Sequence, residues 1–297
     1  MIVLKSDQLY VEFQTLGGAL SSIKDKEGVE YLWQGDPTYW SGQAPVLFPI
    51  CGSVRNDTVL YDKEDGSQKE GKIPRHGLVR KKEFTLVEQT DNSVTFAIED
   101  DEEMYANYPY HFRLEITYTV TGKTIRTQYK IYSKEAKKLM PYFIGGHPGF
   151  NCPLLDDEVY EDYYLEFEKP EICTVPKPFP ETGMLDFKDR SSWLNNQKEI
   201  DLNYDFFSYD AVTLDELESR TVALRSRKHD KGLKLHFKEF PNLIVWSTLN
   251  KGPFIALEPW SGLSTSLEEG DRLEDKKDVR VLKPGEFDQL GFDIEIL

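Results

Sequence analysis

The chain has 297 residues, a formal charge of −16 from 36 basic and 52 acidic side chains, and 13% aromatic residues. So acidic a protein is poorly matched to nucleic acid or to an anionic membrane surface, and so many aromatics argue against disorder. Three cysteines without CxxC spacing support neither a disulfide framework nor a zinc site, and the absence of a signal-like N-terminus or a long apolar run predicts a cytoplasmic protein.

The elements read mostly as strands. Residues 44–50 are an apolar segment, and Phe84 and Leu86 lead to a turn at Asp91-Asn92, followed by Val94, Phe96 and Ile98. Residues 101–107 predict one or two helical turns. From 111 to 120 the apolar set Phe112, Leu114, Ile116, Tyr118 and Val120 alternates with polar residues, which places one face inward. After Thr121-Gly122-Lys123 the alternation resumes at Ile125, Thr127, Tyr129 and Ile131, which predicts a long hairpin. The Pro-rich stretch 170–180 reads as a wandering surface loop. Strands are expected around Leu233–Phe237, at 243–246, at 254–257 and from Leu290 to Ile296. Long amphipathic helices between strands are missing, which argues against a parallel α/β fold. The expectation is one all-β domain over residues 1–297, a large antiparallel β-sandwich.

No phosphate-binding glycine loop, HExxH or GxSxG motif is present, so no metal site is expected. His111, His229 and His236 lie among charged residues and read as solvated side chains. His76 in Pro74-Arg75-His76-Gly77 and His147 in Gly145-Gly146-His147-Pro148-Gly149 differ, because their glycines allow close approach to a ligand. Glu258 ends the apolar run 254–257 beside Trp260, a setting that can tune a carboxyl for acid–base work. Asp210 follows Phe206-Phe207-Ser208-Tyr209, a similar aromatic setting, but on local evidence it reads first as a turn or cap residue. Arg55, after the 44–50 segment, could donate to a polyhydroxyl ligand or make a structural ion pair. Trp33, Trp40 and Trp260 could stack on a sugar or simply pack.

These segments together resemble the aldose 1-epimerase (galactose mutarotase) superfamily, in its LacX-like branch. The resemblance is carried by Leu16-Gly17-Gly18-Ala19, Tyr39-Trp40, Ala44-Pro45-Val46-Leu47-Phe48-Pro49, the two histidine loops with Asn151, and Leu257-Glu258-Pro259-Trp260. It implies a β-sandwich with an open sugar cleft and cofactor-free interconversion of α and β anomers of a hexose. It also implies that Glu258 is the general base and His147 the general acid, with His76, Arg55 and Asp210 binding the sugar; Trp260 is expected to stack on it. In the productive state Glu258 is then expected ionised and His147 protonated, and neighbouring carboxylates could hold the imidazolium near neutral pH. The mutarotases proper carry two glycines after the first histidine and Tyr-Phe-Asn after the second. Here the first histidine is followed by Gly77-Leu78 and the second by Pro148-Gly149-Phe150-Asn151, which alters the cleft wall.

Three alternatives stand beside this reading. One is a hexose-6-phosphate mutarotase, for which Arg75, Arg80, Lys81 and Lys82 are the candidate phosphate contacts. The others are a non-catalytic sugar-binding or sensing protein, and a glycosidase using Asp210 with Glu258. The expected partner is a small sugar, and monomer and homodimer are both open.

Overall fold

The computed structural model describes residues 2–62 and 67–297. Strict alternation builds its largest sheet. Along Phe112–Thr121 and Thr124–Ser133 every second residue is buried. The two strands pair from Thr121 against Thr124 to Phe112 against Ser133. The hairpin turns at Gly122, whose φ of 55° suits a residue without a Cβ. Leu114, Ile116, Ile125 and Ile131 are fully buried, each contributing about 1.5–3 kcal/mol relative to exposure. Phe287–Ile296 flanks this hairpin on one side and Ser93–Glu99 on the other, within an antiparallel sheet of nine strands.

A second, six-stranded antiparallel sheet contains Val212–Leu214, Asn242–Trp246, Phe254–Trp260, Gly145–Gly146 and Val46–Leu47 in that order, with Gly149–Asn151 also pairing to Phe254–Trp260. All seven residues of Phe254–Trp260 are buried, which explains its continuous apolar run. The two sheets share one hydrophobic core. Phe48 meets Phe112 with ring centroids 4.8 Å apart, and Gly146 packs against Tyr129 and Phe292. This is the expected β-sandwich. The predicted helical turns are Glu102–Asn107, capped by the Asp101 side chain, which accepts from the Met104 N–H at 2.7 Å.

The 170–180 stretch corrects its prediction. It belongs to the strand Tyr163–Phe179, which forms a ribbon with Met184–Asp201. Only residues 163–167 have a second neighbour, Thr221–Ser226. Beyond Phe167 the ribbon has an open edge, where a proline costs no ladder hydrogen bond. Composition alone reads such prolines as a loop. The tip of this ribbon reaches the cleft described next.

Candidate active site

Strand register assembles the floor of a cleft. Gly145 pairs with Trp260 and Gly149 with Ala256, so His147 between them stands opposite Glu258. Ile244 faces Glu258 from the next strand, and Thr213 faces Ile244. On the other flank the His147 N–H donates to the Pro45 carbonyl at 3.1 Å. Thr213, Ile244, Glu258, His147 and Pro45 therefore form one row across the sheet, and all five line a cavity of about 270 Å³. Trp246 and Trp260, two positions along their strands, point to the same face and line it too.

Within this row His147 Nε2 lies 3.2 Å from Glu258 Oε2. Glu258 is 1% exposed and His147 6%. Trp40 stacks on the imidazole at 4.9 Å, and Trp246 meets it edge-on at 5.6 Å. Glu258 Oε2, His147 Nδ1 and Trp260 Nε1 are buried without a hydrogen-bond partner among the described residues. Buried polar groups in native proteins are usually satisfied, and these three lie on residues that line the cleft.

Burial pushes the Glu258 carboxyl well above the usual range, and the charge of Asp210 adds to it. Burial pushes His147 well down, and the Arg80 and Arg75 charges add to that. The expectation of carboxylates surrounding a charged His147 is not met. The carboxylate in contact with it is Glu258 itself, and the nearby cations oppose a second positive charge. Both shifts favour the uncharged forms, a carboxylic acid and a neutral imidazole. A neutral acid beside a neutral imidazole and a carboxylate beside an imidazolium contain the same number of protons. A proton can therefore pass from one group to the other without changing their combined charge, and the titration belongs to the pair.

The wall comes from loops. The His76 N–H donates to the Gly52 carbonyl at 2.8 Å, and its Nδ1 accepts from the Gly52 N–H at 3.3 Å. A neutral His76 thus carries its proton on Nε2. Burial holds it neutral, assisted by His147, Arg80 and Arg75. Gly77 is required behind it: at φ 83° its absent Cβ would lie 2.1 Å from the Phe48 carbonyl oxygen. Arg75 Nε donates to Ser53 Oγ at 2.8 Å, and its Nη1 lies 3.8 Å from Asp210. Asp210 lines the cleft with φ at 141°, a strained backbone of the kind found where function fixes a side chain.

The structure thus brings Glu258, His147, His76, Asp210 and Trp260 to one cavity. Arg55 is not among its lining residues. Its guanidinium is engaged by Asp271 at 3.1 Å and by the carbonyls of Ser266 and Glu269, so the structural ion pair is the reading that holds. Arg75, seen in the sequence only as a possible phosphate contact, lines the cleft instead. Its signal was its place beside His76. Trp246 and Thr213 were missed because their importance lies in register. Trp33 packs on Phe254 at 4.9 Å behind the cleft. His111 and His236 pair with Asp100 and Glu295, as surface residues do. His229 departs from its reading, because it contacts the buried Glu158 at 2.8 Å. Among the described residues no helix is long and apolar enough to cross a membrane.

The β-sandwich fold agrees with the comparisons of sequence and structure. The chain belongs to the aldose 1-epimerase family, whose model matches residues 1–279, and such a family implies a sugar substrate. It is 60% identical over 296 residues to Protein LacX, chromosomal, of Lactococcus lactis subsp. lactis, covering 100% of this chain and 99% of that one. The fold matches a galactose mutarotase related enzyme from Lactobacillus acidophilus with a TM-score of 0.93, at 27% identity over 100% of this chain and 97% of that one. It matches a galactose mutarotase-like protein from Lactobacillus casei with a TM-score of 0.90, also at 27% identity, covering 100% of both.

Proposed function

We propose that the protein is an aldose 1-epimerase that interconverts the α and β anomers of a hexose. The observation that carries this is the 3.2 Å contact of His147 with Glu258 on the floor of the cleft. Anomerisation needs a proton removed from the O1 hydroxyl and a proton delivered to the ring oxygen O5, with no net change. One proton held by two groups meets that requirement.

Shifting the shared proton to His147 gives a carboxylate and an imidazolium. Glu258 then takes the O1 proton as His147 protonates O5. The C1–O5 bond breaks and C1 becomes an aldehyde. Rotation about C1–C2 presents its other face to O5. On reclosure O5 returns its proton to His147, and Glu258 returns the other to O1. His76, Asp210, Arg75 and Trp260 hold the ring so that both transfers are within reach.

The test is polarimetry on freshly dissolved α-D-galactose and α-D-glucose. The proposal expects the protein to speed the approach to equilibrium, and a rate equal to buffer would contradict it for these sugars. A second reading, a mutarotase acting on a hexose 6-phosphate, is favoured by one observation: Arg80 lines the cleft, and its side chain makes no hydrogen bond or ion pair with any described residue.

A further inference from the structure

Trp40 lines the cleft, and its indole is held against the reacting pair. Its N–H donates to the Asp36 carbonyl at 2.9 Å, and its carbonyl accepts from Trp33 Nε1 at 2.7 Å. Phe254 stacks on the ring at 5.4 Å, and Trp246 meets it edge-on at 5.5 Å. Two glycines leave room for it. A Cβ on Gly42 would lie 2.5 Å from Trp40 Cζ2, and one on Gly149 would lie 2.8 Å from Cζ3. Neither glycine has a positive φ, so what their missing side chains permit is the close approach of the ring. The indole plane ends 30° from that of the His147 imidazole, with centroids 4.9 Å apart.

Ring opening needs a positive charge on His147, and burial makes such a charge expensive. Glu258, at 3.2 Å, is its counter-ion. The backbone of His147 itself favours the charge, but Nδ1 makes no hydrogen bond to any other described residue. No neighbouring carboxylate or carbonyl therefore takes up the second N–H of an imidazolium. His76 meets the ring edge-on at 5.2 Å, and the Arg80 and Arg75 charges oppose a further cation. Asp210 lines the same cavity, where it faces Arg75, and burial keeps the Cys51 thiol near Glu258 protonated. The stacked face of Trp40 is thus the electron-rich surface laid against the imidazole. An aromatic face within about 6 Å of a cation attracts it, and indole does so best.

We propose that Trp40 is a positioning residue for the proton transfers, its indole face supporting the imidazolium form of His147 that precedes protonation of O5 and re-forms on reclosure. The proposal rests on the mutarotase reading of the cleft and deepens it. It also separates two uses of the same ring. A platform for the sugar acts on binding, so its loss raises KM. Support for the imidazolium acts on the chemical step, so its loss lowers kcat.

The test replaces Trp40, by site-specific incorporation, with tryptophans bearing progressively more ring fluorines. Fluorine draws electron density from the ring face while barely changing its size, so it weakens a cation–π contact stepwise. Polarimetry on galactose, glucose and their 6-phosphates gives kcat and KM for whichever is turned over. Across the series kcat should fall with each added fluorine, by about 3–10-fold in all, with KM within about twofold and the melting temperature unchanged. Trp40→Leu should lower kcat by about 5–30-fold, and Trp40→Phe should recover part of the loss. A kcat that does not respond to fluorine overturns the proposal, even if Trp40→Leu is slow, because packing alone would give that result. A rise in KM at constant kcat also overturns it, in favour of a sugar platform. Both outcomes leave the mutarotase reading standing. A wild-type rate equal to buffer on all four sugars removes that reading and the proposal with it.

Discussion

Two buried glutamates in this molecule each touch a histidine, and their surroundings shift the two carboxyls in opposite directions. Glu158 is 7% exposed and accepts from Ser226 Oγ at 2.6 Å, from the Tyr163 hydroxyl and from His229 Nε2 at 2.8 Å. Burial alone would push its carboxyl up, but these donors outweigh burial and hold it below the usual range. Glu258 is 1% exposed and has His147 at 3.2 Å, yet its Oε2 has no hydrogen-bond partner among the described residues. There burial prevails and the carboxyl rises. The same two residue types thus favour a carboxylate in one region and a protonated acid in the other. Donor supply separates the two, since both side chains are buried.

The largest expected effect breaks the symmetry directly. Glu258→Gln and His147→Asn should each slow mutarotation by about 10²–10⁴-fold, as loss of a general acid or base does. Glu158→Gln should leave the rate within about threefold, but it strips an anion from its donors and should destabilise the fold by about 1–3 kcal/mol. Polarimetry and thermal melting read the two outcomes separately.

Stability against pH sharpens the contrast. Folded Glu258 keeps its proton above the pH at which an unfolded glutamate has lost it. The unfolded chain then binds fewer protons, so stability falls as pH rises above the ordinary glutamate range. Glu158 works the other way: its carboxyl is depressed, so its contribution is present above that range and is lost as pH falls through it. Melting curves across pH should show Glu258→Gln flattening the loss on the alkaline side and Glu158→Gln flattening it on the acid side.

A smaller effect lies at the ribbon tip. Gly183 has φ 69°, and a Cβ there would come within 2.3 Å of Arg75 Nη2 and 2.4 Å of Ser53 Oγ. Gly183→Ala should displace Arg75 and raise KM by about three- to tenfold with little change in kcat, as loss of a positioning contact does. The smallest effect is at Arg55, whose partly exposed ion pair with Asp271 is worth about 0–1 kcal/mol. Arg55→Ala should leave KM unchanged in steady-state assays, whereas Arg75→Ala should raise it.

Local pattern made much of this legible. Period-two alternation located the 112–133 hairpin, and the glycine-framed His147 and strand-end Glu258 were both visible as candidates. Their contact was not, because it depends on pairing residues 145–149 with 254–260, more than a hundred positions away. The arginines show the same limit. Arg55 and Arg75 look alike locally, and what removes Arg55 from the cleft is Asp271, 216 residues along the chain. The ribbon escaped notice because prolines read as loop unless the sequence reveals which strand edge is open.

The most direct test of the central claim is the ratio of mutarotation rates of Glu158→Gln and Glu258→Gln, measured by polarimetry at equal concentrations of folded protein. If the donor-poor contact in the cleft carries the chemistry, Glu158→Gln should turn over at least about a hundredfold faster than Glu258→Gln. Equal rates in the two variants would contradict the account.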